Sequence, residues 1–180
     1  LKTIPNHIEC FDNSNIQGSL PTSSCVVFKK GLPSKKDYRI FKIKTVTKAD
    51  DFASMREVVF RRYKRVLDEK GDLPDLIVID GGKGQLSSAK ESLKRLGLSG
   101  KIAIIGIAKK LESIYFPNDK IPLFIDKKSP SLKLIQTIRN EAHRFAINYH
   151  KKRRLKSTLS SVLTDIDGVG EKTAELLIKK

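Results

Sequence analysis

Apolar and polar positions follow different periods along the chain, and each period predicts one kind of element. Three segments near the start are apolar or alternating, as is typical of strands, and they cover residues 7–12, 24–29 and 38–44. The connections between them are short and rich in turn residues, so we expect an antiparallel meander. From Asp50 to about Lys70 apolar residues recur at three- and four-residue steps, which indicates an amphipathic helix.

The second half of the chain changes repeatedly between strand-like and helix-like patterns. The predicted elements are a strand at 76–80, a helix at about 85–96, a strand at 102–107, a small hairpin at 114–125 and a long helix at about 130–152. This order favours the α/β class. We expect a mixed sheet, with a three-strand antiparallel meander and further parallel strands, flanked by helices.

The most informative stretch is the apolar run 76–79, which leads into Asp80 and then into Gly81-Gly82-Lys83-Gly84. Such a run predicts a strand covered on both faces. Asp80 stands at its carboxyl end, the edge where open α/β sheets hold ligands. It either caps the next helix or makes a turn with the glycines, or it meets a positive partner such as a metal ion. The glycine run lacks P-loop spacing, so nucleotide hydrolysis is not supported.

A second carboxylate, Asp12, ends the first predicted strand. If this strand and the strand that ends in Asp80 are neighbours, both side chains point into one notch, where two carboxylates would repel each other. A divalent cation removes that conflict, because Mg²⁺ prefers oxygen ligands and is commonly held by one or two carboxylates. The pair therefore predicts a metal site suited to phosphodiester hydrolysis.

The long helix offers His143 as a third ligand, next to the helix's buried stripe. A packing or surface role is the alternative for a lone histidine, and Glu141 is a rival ligand by residue type. Because Ala142 is expected to face the core, the flank that carries His143 should pass near the carboxyl edge of the sheet.

The amino-acid composition predicts the class of partner that the chain binds. Lys and Arg total 36 against 20 Asp and Glu, giving a formal charge of +16. On a folded chain this excess points to nucleic acid, with a solvated basic surface as the alternative. Cys10 and Cys25 lie in predicted strands without paired spacing, which predicts buried free thiols in a reducing compartment. We find no membrane-spanning run and no signal peptide, so we expect no membrane partner.

The composition changes again after the basic run at 151–156, and we expect one domain over residues 1–154 and a small unit over 155–180. Within this unit, an apolar residue precedes Gly168-Val169-Gly170, and an amphipathic segment with Lys172 follows. This fits a helix–hairpin–helix, whose backbone N–H groups grip a phosphate without reading sequence; a generic helical turn is the alternative. Because the chain starts at Leu1 and ends within a predicted helix, we expect it to be a fragment of a longer protein.

Four motifs carry a resemblance to a known family. They are Glu9-Cys10-Phe11-Asp12, Asp51-Phe52-Ala53-Ser54-Met55-Arg56, Ile79-Asp80-Gly81-Gly82-Lys83-Gly84-Gln85 and Glu141-Ala142-His143-Arg144-Phe145-Ala146. In this order they resemble the C-terminal half of UvrC, a component of the bacterial UvrABC excision nuclease, over about residues 5–180. The resemblance implies a ribonuclease-H-like fold and a metal-dependent endonuclease of nucleotide excision repair, which cuts DNA on the 5′ side of a lesion.

The resemblance also implies site residues and partners. The family's Asp-Asp-His triad falls on Asp12, Asp80 and His143, with Mg²⁺ or Mn²⁺ as the cofactor. A further acid of the family falls on Asp51, where a helix cap is an equal explanation. Damaged double-stranded DNA is the implied substrate. UvrB is the implied partner, with UvrA upstream, through parts mostly outside this chain, and the bacterial cytoplasm is the implied location.

Candidate DNA contacts are fewer and less specific. Near the predicted site they are Lys83 and Lys109, for which an ordinary surface position is the alternative, and in the C-terminal unit they are Gly168, Val169, Gly170 and Lys172. UvrC-like chains usually carry two helix–hairpin–helix motifs, whereas only one is recognisable here, so we expect reduced affinity for DNA.

Two departures from the family pattern leave a rival function open. Family members commonly have His at the position of Asn15 and Asp at the position of Asn140. Neither change removes a triad member, but the chain could then be a DNA-binding scaffold with an inert nuclease fold. A third hypothesis is another nuclease of the same fold, acting on RNA–DNA hybrids or in transposition. The helix–hairpin–helix argues against this hypothesis.

Overall fold

The computed structural model describes residues 4–14, 21–45, 50–108 and 112–178. Asn15 and Lys109 lie outside these described residues. The chain divides into two compact units, Leu1–Ala146 and Ile147–Lys180, and each is described by itself.

The elements alternate as the sequence pattern predicts. In chain order they are strands β1 His7–Ser14, β2 Thr22–Lys29, β3 Leu32–Pro33 and β4 Arg39–Lys42, helix α1 Asp51–Asp68, strand β5 Leu76–Asp80, helix α2 Lys83–Arg95, strands β6 Ala103–Ala108 and β7 Ser113–Tyr115, and helices α3 Pro130–Thr164 and α4 Glu171–Ile178.

All the strands belong to one mixed sheet in the order β3-β2-β1-β5-β6-β7, with β4 also paired to β2. Strand β1 runs antiparallel to β2 and parallel to β5, and β5 runs parallel to β6. The predicted α/β class and mixed sheet are therefore confirmed. Because β1 and β5 are parallel neighbours, their carboxyl ends lie at the same edge of the sheet.

The predicted strand at 38–44 is present as β4, and a two-residue strand, β3, precedes it. Strand β3 pairs with the end of β2 and β4 with its beginning, and a 3₁₀ turn over Lys35–Asp37 lies between them. The turn is held by Ser34, whose hydroxyl donates to the Asp37 carboxylate at 2.8 Å. The sequence pattern did not predict β3, because a strand of two residues is too short to leave a periodic signal.

Helices cover both faces of the sheet. On one face the ring of Phe11 packs edge-on against Tyr63 of α1, with centroids 6.1 Å apart. On the other face the Ser24 hydroxyl donates to the Ala142 carbonyl of α3 at 3.0 Å. Side chains alternate along a strand, and Asp12 pairs with Ser24 across β1 and β2, so Asp12 faces α3. Strand β5 is buried throughout, as its apolar run predicts.

Two predicted boundaries were wrong. Helix α3 continues to Thr164 rather than ending near residue 152, because Lys and Arg favour helix and a solvated basic run does not end one. The predicted second strand of the hairpin, at 123–125, is reduced to an isolated bridge between Ile114 and Leu123, next to Pro122, which has no N–H to donate. The domain boundary at 154/155 falls inside α3 and stays a prediction.

The C-terminal unit has a tight turn between α3 and α4. Gly168 adopts a left-handed conformation at φ +85°, which glycine tolerates without strain. The Val169 amide donates to the Ile166 carbonyl at 3.0 Å, and the Ala174 amide to the Gly170 carbonyl at the same distance. Among the residues described, no helix is both long and apolar enough to cross a membrane.

Candidate metal centre

Two carboxylates meet at the carboxyl edge of the sheet. Asp80 is the last residue of β5, and Asp12 lies one position beyond Phe11, which pairs with Ile79 in the parallel ladder. Both residues are buried, with 4% of Asp12 and 7% of Asp80 exposed. The parallel register explains the encounter, since it brings equivalent positions of the two strands side by side.

His143 of α3 completes the cluster. Its Nδ1 lies 3.1 Å from Oδ2 of Asp12, and its side chain is 48% exposed. One ligand atom from each of Asp12, Asp80 and His143 lies within 4.8 Å of the other two. An ionised carboxylate only accepts hydrogen bonds, so a neutral His143 ring would carry its proton on Nδ1 in this contact.

The rival ligand Glu141 forms hydrogen bonds with residues outside the cluster of Asp12, Asp80 and His143. Its carboxylate accepts hydrogen bonds from Arg144, at 2.6 and 2.7 Å, and from the Tyr38 hydroxyl at 3.2 Å. The bonds from Arg144 hold the pKa of Glu141 below its ordinary value, although partial burial opposes them. Of the two candidates on the helix, the structure therefore brings His143 to the carboxylates.

The cluster suits a divalent cation. The negative charge of the two carboxylates also affects the buried thiol of Cys10. Burial is the largest cause that raises the pKa of this thiol well above its ordinary value, and the charges of Asp80 and Asp12 raise it further. Two buried carboxylates at this separation repel unless a positive group lies between or beside them. The two carboxylate oxygens suit a hard divalent cation, whereas an imidazole nitrogen is a ligand more typical of transition-metal ions.

Asp51 lies close by but outside the cluster. The cap of α1 is its neighbour Asp50, whose Oδ1 accepts the amides of Phe52 and Ala53 at 2.9 and 3.0 Å. Asp51 is an exposed first-turn residue, and its backbone carbonyl accepts a hydrogen bond from Asn13 at 2.8 Å. This bond fixes the start of α1 beside the end of β1, one residue beyond Asp12.

A buried ionic network on the opposite face of β1 was not anticipated from the sequence. Glu9 accepts bonds from Arg62 at 2.5 and 3.1 Å and from the Tyr63 hydroxyl at 3.0 Å, with the His7 ring 3.4 Å away. Burial alone would raise the pKa of Glu9, but these contacts lower it to about 2. An acidic residue in the middle of a buried strand was the available signal.

A glycine in the neighbouring strand sets the backbone path after Asp80. A Cβ added to Gly106 would lie 2.8 Å from the Gly81 carbonyl oxygen. The Gly81 amide in turn donates to the Ile107 carbonyl at 3.0 Å. The chain leaving Asp80 therefore crosses closely over β6, which needs a residue without a side chain there.

The candidate DNA contacts among the described residues lie in both units of the chain. The Lys83 ammonium donates to the Lys120 carbonyl and lies 5.9 Å from the Tyr115 ring centroid, so it fastens α2 to the loop after β7. Lys109 is outside the described part of the chain. The hairpin positions lie in the C-terminal unit, at and just before the start of α4, and these are Gly168, Val169, Gly170 and Lys172.

Comparisons with known proteins show which family the chain resembles. UvrABC system protein C of Christiangramia forsetii is 64% identical over 97% of this chain, and that of Porphyromonas gingivalis W83 is 59% identical over 97%. The match covers 29% of each relative, so the chain spans about three tenths of their length.

Solved structures show a weaker likeness. Endonuclease V of Ciona intestinalis, in complex with an inosine-containing DNA, is 17% identical, with a TM-score of 0.45 over 59% of this chain and 47% of that one. A TM-score at this level carries no weight. The model of the UvrC RNase H endonuclease domain matches residues 1–147, and the chain therefore belongs to the UvrC RNase H endonuclease domain family.

Proposed function

We propose that this chain is the metal-dependent endonuclease module that makes the 5′ incision in nucleotide excision repair. The observation that carries the proposal is the meeting of Asp12, Asp80 and His143, whose ligand atoms lie within 4.8 Å of one another. These residues come from two strands and a helix and are up to 131 positions apart in sequence. Family membership supports the same reaction class.

Each residue has a role that follows from its chemistry. Asp12 and Asp80 would hold Mg²⁺ or Mn²⁺ with their buried carboxylates. When bound, such a cation lowers the pKa of a coordinated water and stabilises the developing charge on the phosphate. His143, half exposed at the rim, would complete the ligand set or orient the attacking water, and its contact with Asp12 fixes the direction of the ring. Asp51 is the remaining candidate for a catalytic residue, because the start of α1 lies beside the end of β1.

The proposed substrate is double-stranded DNA with a lesion, recognised together with UvrB after loading by UvrA. The net charge of +16 supports a polyanionic substrate. The tight turn before α4 supports a sequence-independent grip on phosphates by Gly168, Val169, Gly170 and Lys172. We therefore expect binding to weaken steeply as salt rises, because each phosphate contact releases counterions.

The decisive test is an incision assay on lesion-containing duplex DNA, with this chain in the context of a full-length UvrC and with UvrA and UvrB present. Asp80→Asn should reduce 5′ incision about a thousandfold, since losing a metal ligand removes several kcal/mol of stabilisation. Asp68→Asn is the matched control, because Asp68 is a solvated partner of Lys64 on α1. Cleavage by Asp80→Asn at the control rate would refute the site.

The same assay distinguishes the proposed endonuclease from a DNA-binding scaffold with an inert nuclease fold. A scaffold would bind the DNA complex and leave the 5′ phosphodiester intact with the unaltered sequence, in both Mg²⁺ and Mn²⁺. An RNA-directed nuclease would instead prefer an RNA–DNA hybrid over lesion-containing DNA.

A further inference from the structure

A small basic cleft lies between helix α2 and the loop that follows strand β7. Its volume is about 230 Å³, and the residues that line it do not include Asp12, Asp80 or His143. The charged residues of its lining are Lys83, Lys90, Lys120 and Asp119. The cleft, called the lysine cleft below, therefore carries three ammonium groups against one carboxylate.

The two lysines that α2 contributes to the lysine cleft bond neutral oxygens. The Lys83 ammonium donates to the Lys120 carbonyl, and the Lys90 ammonium donates to the Asn118 side-chain oxygen at 2.7 Å. A neutral acceptor satisfies one hydrogen bond without neutralising the charge. Because an ammonium has three N–H donors, each lysine keeps two donors and its full charge for a ligand.

The position of Lys90 is unusual for a lysine. It is only partly exposed, whereas lysine side chains are mostly solvated. Its bond to Asn118 holds the ammonium at the cleft rather than in bulk water. Ammonium groups gathered around one small cleft repel each other, and a phosphate, with its charge and several acceptor oxygens, relieves that repulsion and takes up the remaining donors.

The lysine cleft begins next to the candidate metal centre. Asp80 is the last residue of β5, and Lys83, three positions later, is the first residue of α2. Lys83, Ser87 and Lys90 lie on one face of α2, because they are four and three residues apart. At 1.5 Å per residue, Lys90 lies about 10 Å further along α2 than Lys83, or about three steps of 3.4 Å between base pairs.

We propose that the lysine cleft binds backbone phosphates of the DNA a few nucleotides from the scissile bond, with Lys90 as a phosphate contact outside the metal centre. This inference rests on the proposed function. Charge complementarity favours DNA as the occupant, because the cleft is basic in a chain of net charge +16 and starts beside the metal centre. Contacts to phosphates read no sequence, so the cleft positions the strand without selecting bases.

A purely structural role for Lys90 makes a different prediction. If Lys90 only tied α2 to the loop after β7, removing its acceptor would have the same effect on DNA binding as removing the lysine. Asn118→Gly removes that acceptor, and glycine suits the left-handed backbone at φ +73°. If Lys90 contacts a phosphate, Asn118→Gly leaves the charge in place and DNA affinity stays near the unaltered value.

The test is fluorescence anisotropy of the full chain with a labelled DNA duplex at several salt concentrations. Lys90→Gln should lower the affinity about three- to tenfold at about 0.1 M salt, and should reduce the slope of log affinity against log salt by about 1. Lys101→Gln is the matched control. It removes the same charge from an exposed lysine just before β6, at the amino edge of the sheet, and should leave the slope unchanged.

Each outcome has a separate meaning. Equal slopes for Lys90→Gln and Lys101→Gln, or equal losses of affinity for Lys90→Gln and Asn118→Gly, would overturn the lysine cleft alone. No duplex binding by the unaltered chain would overturn this inference together with the proposed DNA substrate. If the unaltered full-length protein makes no 5′ incision while Lys90→Gln still reduces the slope, only the proposed function fails.

Discussion

Replacing Glu9 by Gln tests whether the ionic network on the second face of β1 stabilises the strand that carries Asp12. Glu9 is fully buried, and Arg62 and Tyr63 bond its carboxylate. The substitution keeps the shape but leaves the Arg62 charge without a counterion. Removing one partner of a buried pair typically costs about 3–5 kcal/mol.

The pKa of Glu9 gives a second measure of the same quantity. It falls from 4.5 to about 2 on folding, a difference of about 2.5 that corresponds to about 3 kcal/mol at 1.36 kcal/mol for each pKa unit. Because the folded-state pKa is depressed, this stabilisation is present above pH 4.5 and is lost as the pH falls towards 2. About half of it should remain at pH 3.

Urea unfolding followed by far-ultraviolet circular dichroism measures both effects. We expect Glu9→Gln to lower the free energy of unfolding by about 3 kcal/mol at pH 7 and by about half that at pH 3. Glu69→Gln is the control, because Glu69 forms a solvated pair with Arg65 and should contribute less than about 1 kcal/mol. Equal losses in the two variants, or a Glu9→Gln loss that does not change with pH, would contradict this reasoning.

Three further predictions concern the parts that position the site. Gly106→Ala should lower the free energy of unfolding by about 1–3 kcal/mol in urea titration, because its Cβ would lie 2.8 Å from the Gly81 carbonyl; an unchanged midpoint would contradict the close crossing. Asp50→Ala should cost about 1 kcal/mol in the same assay through loss of the α1 cap, and no loss would show that the cap bonds contribute nothing. Cys10 and Cys25 are fully buried free thiols whose pKa values burial raises, so a thiol reagent should modify them at the rate of unfolding and should not react quickly in native buffer.

The pattern of apolar and polar residues was sufficient to predict the order of helices and strands. It also predicted that Asp12 and Asp80 lie close together at one edge of the sheet. The apolar run before Asp80 and the strand before Asp12 each end at a carboxylate, and parallel neighbours bring such ends together. The expectation that Ala142 faces the core favoured His143 over Glu141, and the packing of α3 explains why Glu141 lies outside the cluster. The partners of Glu141 are Tyr38 and Arg144, and the contact with Tyr38 spans 103 residues.

Sequence reasoning failed where a side chain acts at long range or where a helix has no stop signal. The Glu9–Arg62 contact joins residues 53 positions apart, and neither residue belongs to a motif that links them. The bond from the Lys83 ammonium to the Lys120 carbonyl was also not anticipated, and contact of Lys83 with a phosphate stays a prediction. Helix α3 passes through its basic run because solvated charges carry no penalty that would end a helix.

The distance in sequence between the three candidate ligands has a consequence for when the site can form. Asp12 and Asp80 meet only when β1 and β5 are paired, and His143 joins them only when α3 is docked, so the site depends on contacts between residues far apart in sequence. A partly synthesised or partly unfolded chain has its two aspartates without the histidine, or separated from each other. The candidate site is therefore complete only in a chain in which β1 and β5 are paired and α3 is docked.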